Sequence, residues 1–328
     1  MPRLLVCGVI NWDTAIFVQT LPGPGEEVRV VRTSSFPGGK GANTAVAAAR
    51  MMGPGQVGMA GMLGSDDVAE QQIMILEQEG VDTSCISRQQ GADSGTAFVI
   101  IDSKGEDMIL THMAANLMMT ADHVSSSRMS LAIDEAGAIV VIDPPLEVAA
   151  ALLARARKAA RLTVWSPALL AKMGLAALRE IMKNVDYLVL NEHEASLLAS
   201  VDGGAVACKK LSDTLGCRVV TTLGSRGCVF CWEGGEATIP TMDLASYSLK
   251  TVSSAGAGDA FLGTFAAMKV RGMDEIEALF TANIAAALKT TKEEARGVPT
   301  LDEVSRYRND ERMRSLFSSI KVRRAGAW

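Results

Sequence analysis

The chain has 328 residues, 48% hydrophobic and 21% charged, with a formal net charge of −5. That balance suits a large globular protein with a substantial core and gives no electrostatic case for nucleic-acid partners. No apolar stretch reaches the ~20 residues needed to span a bilayer, which argues against a membrane protein, and six scattered cysteines make no disulfide framework; a cytoplasmic location is expected.

Met1-Pro2-Arg3 runs directly into Leu4-Leu5-Val6-Cys7, which reads as a first strand and not as a signal peptide. Residues 14–33 carry no helix period and hold Pro22-Gly23-Pro24-Gly25 between β-rich runs. The cluster Pro37-Gly38-Gly39-Lys40-Gly41-Ala42-Asn43 then opens a helix through Ala45, Ala47, Ala48 and Ala49. Residues 96–111 read as a hairpin: Thr96 to Ile101, the turn Asp102-Ser103-Lys104-Gly105, then Met108 to Thr111. From about residue 137 strands and helices alternate. Ala138 to Ile142, Leu162 to Trp165, Tyr187 to Leu190 and Arg218 to Leu223 are short apolar strands, and Leu146 to Ala160 is a helix. Strands apolar on both faces indicate a parallel sheet covered on two sides, with ligands at its carboxyl ends.

The expectation is an α/β fold: a doubly wound, mostly parallel sheet flanked by helices, with a small β-sheet lid. Residues 1–13, 34–95 and 112–328 would form the large domain, and 14–33 and 96–111 the lid. Apolar Ile100, Ile101, Met108 and Ile109 on that lid suggest a homodimer formed through it, because bare sheet edges are usually paired or covered. Cys228 and Cys231 lie three apart on a strand-like segment, so they point to opposite faces and read as core, not as a metal or redox pair. The basic tail Lys321-Val322-Arg323-Arg324 reads as a solvated end.

The segment with most chemical content is Gly256-Ala257-Gly258-Asp259, after a β-like run and before a long apolar helix. A helix N-terminus offers unpaired N–H groups and the positive end of its dipole to an anion, and glycines allow close approach. A carboxylate beside such a cradle repels phosphate. Its natural task is to take a proton from an alcohol attacking a phosphoryl group, which points to a small-molecule kinase. Two familiar phosphate motifs are excluded. The loop around Lys40 lacks the Walker glycine spacing and has Gly41 where Ser or Thr is needed, and Phe261 stands where the dinucleotide fingerprint needs a third glycine.

In chain order these residues, with Asn11-Trp12-Asp13, Pro24-Gly25-Glu26, Asn191-Glu192-His193-Glu194 and Thr222-Leu223-Gly224-Ser225-Arg226-Gly227, resemble the ribokinase-like (PfkB-type) carbohydrate kinases over nearly the whole chain. The resemblance implies transfer of the γ-phosphate of ATP, with Mg²⁺, to a primary hydroxyl of a sugar or nucleoside, a ribose-like furanose being favoured. It implies Asp259 as the base and the N–H groups of Ala257, Gly258 and Asp259, after Gly256, as the anion hole. By the same likeness Asp13, Gly38, Gly39, Lys40, Asn43 and Asp143 would bind the acceptor. Thr222, Gly224, Ser225, Gly227 and Asn283 would bind the nucleotide, with Asn191 and Glu194 facing the Mg²⁺–phosphate region through water. Asn191 also suits a helix cap, and Gly224 and Gly227 suit a hairpin turn.

The chain departs from the family pattern in ways that bear on function. Ser253 stands where the catalytic loop usually begins with aspartate, in a stretch that binds potassium in ribokinase-like members, and Lys292 to Gly297 lacks the usual glycine after the lysine. Weak or absent activation by potassium is therefore expected. Asp143 is one methylene shorter than the usual glutamate, and Ser166-Pro167-Ala168 replaces Asn-Pro-Ala. The acceptor thus stays open among pentoses, nucleosides and phosphosugars, and a catalytically silent sugar- or nucleotide-binding regulator is the competing class.

Overall fold

The computed structural model describes residues 3–104 and 106–324. Gly105 of the expected turn lies outside them. In chain order the elements are β1 (Leu4–Gly8), β2 (Asn11–Val18), β3 (Val30–Gly38), α1 (Lys40–Met52), β4 (Val57–Leu63), α2 (Asp67–Gln78) and β5 (Val81–Arg88). Then come β6 (Gly95–Ile101), β7 (Asp107–His112), α3 (Ala121–Val124), α4 (Ser127–Glu135), β8 (Ala138–Ile142), α5 (Leu146–Lys158) and β9 (Leu162–Ser166). The chain continues through α6 (Leu175–Met182), β10 (Tyr187–Asn191), α7 (Glu192–Ala199), α8 (Gly204–Leu215), β11 (Arg218–Thr222), β12 (Cys228–Trp232) and β13 (Gly235–Ile239). It closes with α9 (Ala257–Val270), α10 (Glu275–Lys289), α11 (Leu301–Arg308), α12 (Glu311–Ser318) and β14 (Val322–Arg324).

Ten strands form one sheet in the order β14-β13-β12-β11-β10-β9-β8-β1-β4-β5. Neighbours from β11 to β5 pair in parallel, and β11 to β14 add an antiparallel edge. The apolar strands are buried on both faces because alternate side chains enter two cores. Leu4, Val6, Val140 and Ile142 join α1, α9 and α10 on one side. Leu5, Cys7, Ile139 and Val141 join α5 to α8 on the other. Cys228 and Cys231 divide between the same two cores, as their spacing requires.

A separate four-stranded sheet has the order β3-β2-β6-β7. Its strands reach further than the segments 14–33 and 96–111: β2 begins at Asn11, and β3 runs on to Gly38, paired with it. Asp13 is thus carried by this smaller sheet, opposite Phe36. The basic tail is not a free end. Val322–Arg324 pairs with β13, and Arg323 Nη1 donates to Glu236 Oε1 at 3.2 Å. Edge backbone groups of β13 gain partners there, which a charge-based reading of the tail overlooks.

Candidate active site

Asp259 stands in the first turn of α9, and its carboxylate is held from the side by α1. Asn43 Nδ2 donates to Asp259 Oδ2 at 2.9 Å. Asn43 is itself buried, and Arg296 Nε donates to its Oδ1 at 3.0 Å. A guanidinium can only donate, so this contact turns the amide oxygen to Arg296 and the amide N–H groups to Asp259. Arg296 Nη2 also donates to Gly38 O at 2.6 Å and to Gln72 Oε1 at 2.9 Å. Burial pushes Asp259 up to about 6, opposed by the Asn43 hydrogen bond and the charges of Lys40 and Lys289. A carboxylate poised there is largely ionised at neutral pH yet basic enough to take a proton.

Asp13 lies against the Gly38 Cα, where a side chain at 38 would collide with its carboxylate. Burial lifts Asp13 to about 6, while the field of Arg296 lowers it and that of Asp259 raises it. Its Oδ1 is buried without a hydrogen-bond partner among the described residues, an acceptor available to a ligand hydroxyl. Lys40 Nζ donates to Asp143 Oδ2 at 3.1 Å, and Leu169 N–H to Asp143 Oδ1 at 3.2 Å. Burial raises the Asp143 carboxyl and the Lys40 charge opposes it. Glu194 is likewise raised by burial and lies in the fields of Lys40 and Asp143.

The anion cradle is narrower than expected. The N–H of Ala257 already donates to Ser254 O at 3.1 Å, which leaves Gly258 and Asp259 as first-turn donors without an acceptor among the described residues. A Cβ added at Gly258 would enter open space. That space belongs to a cleft of about 820 Å³ lined by Ala257 and Gly258 together with Thr222, Gly224, Ser225, Gly227 and Asn283. Gly224 to Arg226 forms a helical turn joining β11 to β12, so the hairpin and the cleft wall are the same residues.

Two candidates are tied down by structural tasks. Asn283 Nδ2 donates to Ile239 O at 3.0 Å and Pro240 O at 3.1 Å, so its amide holds the end of β13 while its body lines the cleft. Asn191 Oδ1 accepts the Glu194 N–H at 2.8 Å, and Glu194 Oε2 accepts the Asn191 N–H at 3.0 Å. This reciprocal cap starts α7 and engages one oxygen of each side chain. Neither residue lines the cleft.

A model of the pfkB family carbohydrate kinases matches residues 1–301. The chain belongs to that family. Ribokinase of Schizosaccharomyces pombe is 28% identical over 93% of this chain and 97% of its own. The crystal structure of ribokinase from Thermotoga maritima superposes with a TM-score of 0.80 at 25% identity, over 94% of this chain and all of the other. Ribokinase from Cryptococcus neoformans in complex with ADP superposes with a TM-score of 0.78 at 26% identity, over 94% and 100%. The protein is therefore an ATP-dependent carbohydrate kinase, a phosphotransferase with an alcohol group as acceptor.

Within this kinase the sequence motifs miss two buried cations. Arg296 lies in the loop that departs from the family pattern and nonetheless organises Asn43. Lys289 ends α10 with its side chain fully buried. The only sequence signal for it is a lone lysine after the apolar run Ile284-Ala285-Ala286-Ala287-Leu288.

Proposed function

We propose that this kinase phosphorylates the primary hydroxyl of a ribose-type furanose, with Asp259 as general base. The observation that carries the reading is the Asn43-held carboxylate beside the open amides of Gly258 and Asp259, in the same helical turn as Gly258, which lines the cleft. The acceptor hydroxyl gives its proton to Asp259 as its oxygen forms the bond to the γ-phosphorus; the bond from that phosphorus to the β,γ-bridging oxygen breaks, and ADP leaves. The two amides meet the charge on the equatorial oxygens, each such donor contributing on the order of 3 kcal/mol to the barrier. Asp13 Oδ1 accepts a sugar hydroxyl, and the Lys40–Asp143 pair and the one Asn43 N–H not used by Asp259 supply further partners. Gly38 and Gly39 shape the floor beneath the sugar.

The adenosine part occupies the cleft between the Thr222–Gly227 hairpin and Asn283. Glu194 and Asn191 would hold Mg²⁺ through water, and the ion would supply neutralisation of the phosphate charge. The relatives named ribokinase favour ribose as acceptor. Potassium is not required. The protein acts in the cytoplasm, consistent with six free, buried thiols, and as a homodimer through the four-stranded sheet.

A panel of pentoses, hexoses, phosphosugars and nucleosides, followed by ADP release with Mg²⁺ and ATP, tests the acceptor. Ribose-type furanoses should be turned over fastest; a nucleoside that outpaces them overturns the assignment. In the same assay Asp259→Asn should lose about 10²- to 10⁴-fold in kcat while still binding ATP and sugar. An unchanged rate removes Asp259 as the base.

A further inference from the structure

The side chain of Lys289 crosses from the end of α10 to the loop that leads into the cradle. Its Nζ donates to Ser253 O at 3.2 Å and to Lys292 O at 3.4 Å. The first carbonyl belongs to the irregular segment that leads into Gly256, where the sequence suggested a β-like run, and the second to the loop that ends at Gly297. The two segments are joined at other points as well. Val252 N–H and Ser253 N–H both donate to Thr290 O, at 2.7 and 3.0 Å. Gly256 rests on the Ala295 carbonyl, so tightly that a side chain at 256 would collide with it. Nothing in the transfer step as described uses Lys289, and a fully buried ammonium is costly unless it has a task.

We propose that Lys289 is a covalently tethered cation that positions the anion cradle. Its ammonium clamps two main-chain carbonyls from facing loops and holds positive charge behind the first turn of α9. A free monovalent ion held by the same carbonyls would do similar work, and the tether makes such an ion unnecessary. The assignment rests on the kinase reading above and adds a positioning residue to it. Lys289 does not touch the reacting atoms: it acts through Ser253 and through its field at Asp259. Asp259 is the ionised group whose field reaches the ammonium, and the charge in turn lowers the Asp259 carboxyl, as does Lys40, while Asp143 raises it. Burial brings Lys289 itself down to about 8.

The test uses Lys289→Ala and Lys289→Met in the full-length protein, with wild type as control for sugar-dependent ADP release. Wild type that releases no ADP on any sugar would mark failure of the kinase reading and not of this one. For folded variants, judged by melting temperature and ADP binding, kcat should fall by about a hundredfold with the sugar KM little changed, as for loss of a transition-state donor. The acid limb of the kcat profile should move to higher pH, because a positive charge near Asp259 is gone. Ammonium or potassium, at ionic strength held constant with tetramethylammonium, should restore Lys289→Ala at least tenfold and leave wild type unaffected. Wild-type kcat and acid limb in Lys289→Met, or no recovery of folded Lys289→Ala with any small cation, overturns the proposal. If neither variant folds, wild type decides: kcat should decline on an alkaline limb near 8, and a flat profile to pH 10 refutes it.

Discussion

A neutral amide between a guanidinium and a carboxylate has one orientation available, and Asn43 holds it. Arg296 takes the oxygen and Asp259 takes the N–H, so the proposed base is aimed by a residue 37 positions further along the chain. The consequence for Asp259 is an opposition between stability and activity. Its carboxyl titrates at 3.8 when unfolded and at about 6 when folded. Between those values the folded protein binds the extra proton, so stability falls as pH rises through that window and is level above it. Activity in the proposed role runs the other way, since a base must be ionised, and kcat should drop tenfold per unit below about 6. Asp259→Asn keeps the acceptor for Asn43 without the charge. It should therefore melt higher than wild type above pH 6, with the advantage gone below about pH 4. Calorimetry across pH 4 to 8 checks this; a variant that melts lower at pH 7.5 would show that the ionised carboxylate stabilises the fold.

Among the elements, legibility in the sequence follows locality. The core strands β8 to β11 were readable because short runs rich in apolar and β-branched residues between helices have few other homes, and their ends came within a residue or two. The hairpin β6–β7 was readable from its turn residues, and the start of α7 from the Asn191 cap. Arg296 and Lys289 were not, because their meaning lies in partners brought together by the tertiary fold: Asn43 is far away in the chain, and Ser253 belongs to a facing loop. Nor does composition show that β3 continues into Gly38 and places Asp13 over it. The Gly256–Gly258 turn was read as two equivalent glycines, and the structure separates them. Gly256 has φ 78° and no room against Ala295 O, whereas Gly258 faces open cleft. Gly256→Ala should cost about 1–3 kcal/mol in stability through backbone strain and displace the cradle, lowering kcat. Gly258→Ala should fold normally and raise the KM for ATP, its methyl standing where phosphate oxygens approach. Equal melting temperatures for the two variants would mean the loop tolerates a side chain at both places.

At the scale of the molecule, the four-stranded sheet is the part least able to stand alone. Its edges are β3 and β7, and Val30, Val31, Met108, Ile109 and Leu110 are exposed there, Val31 at 68% and Ile109 at 58%. Neighbouring residues on a strand face opposite ways, so β7 shows apolar groups on both sides, a surface that a single chain leaves wet. A second copy of the sheet would cover it. The same sheet carries Asp13 and ends at Gly38, so what covers it bears on the proposed sugar site and not on the proposed nucleotide cleft. The loop after α10 meets the sheet through the buried Arg296 Nη2 to Gly38 O hydrogen bond at 2.6 Å and through the exposed Arg32–Glu293 pair at 3.1 Å, which contributes at most about 1 kcal/mol and leaves the outer part of β3 loosely held. Ile109→Lys should therefore give a monomer by light scattering, with sugar KM raised several-fold, ATP KM unchanged and the melting temperature of the main sheet little affected. If wild type is already monomeric at high concentration, or if Ile109→Lys dissociates without changing sugar KM, the sheet does not couple assembly to the acceptor.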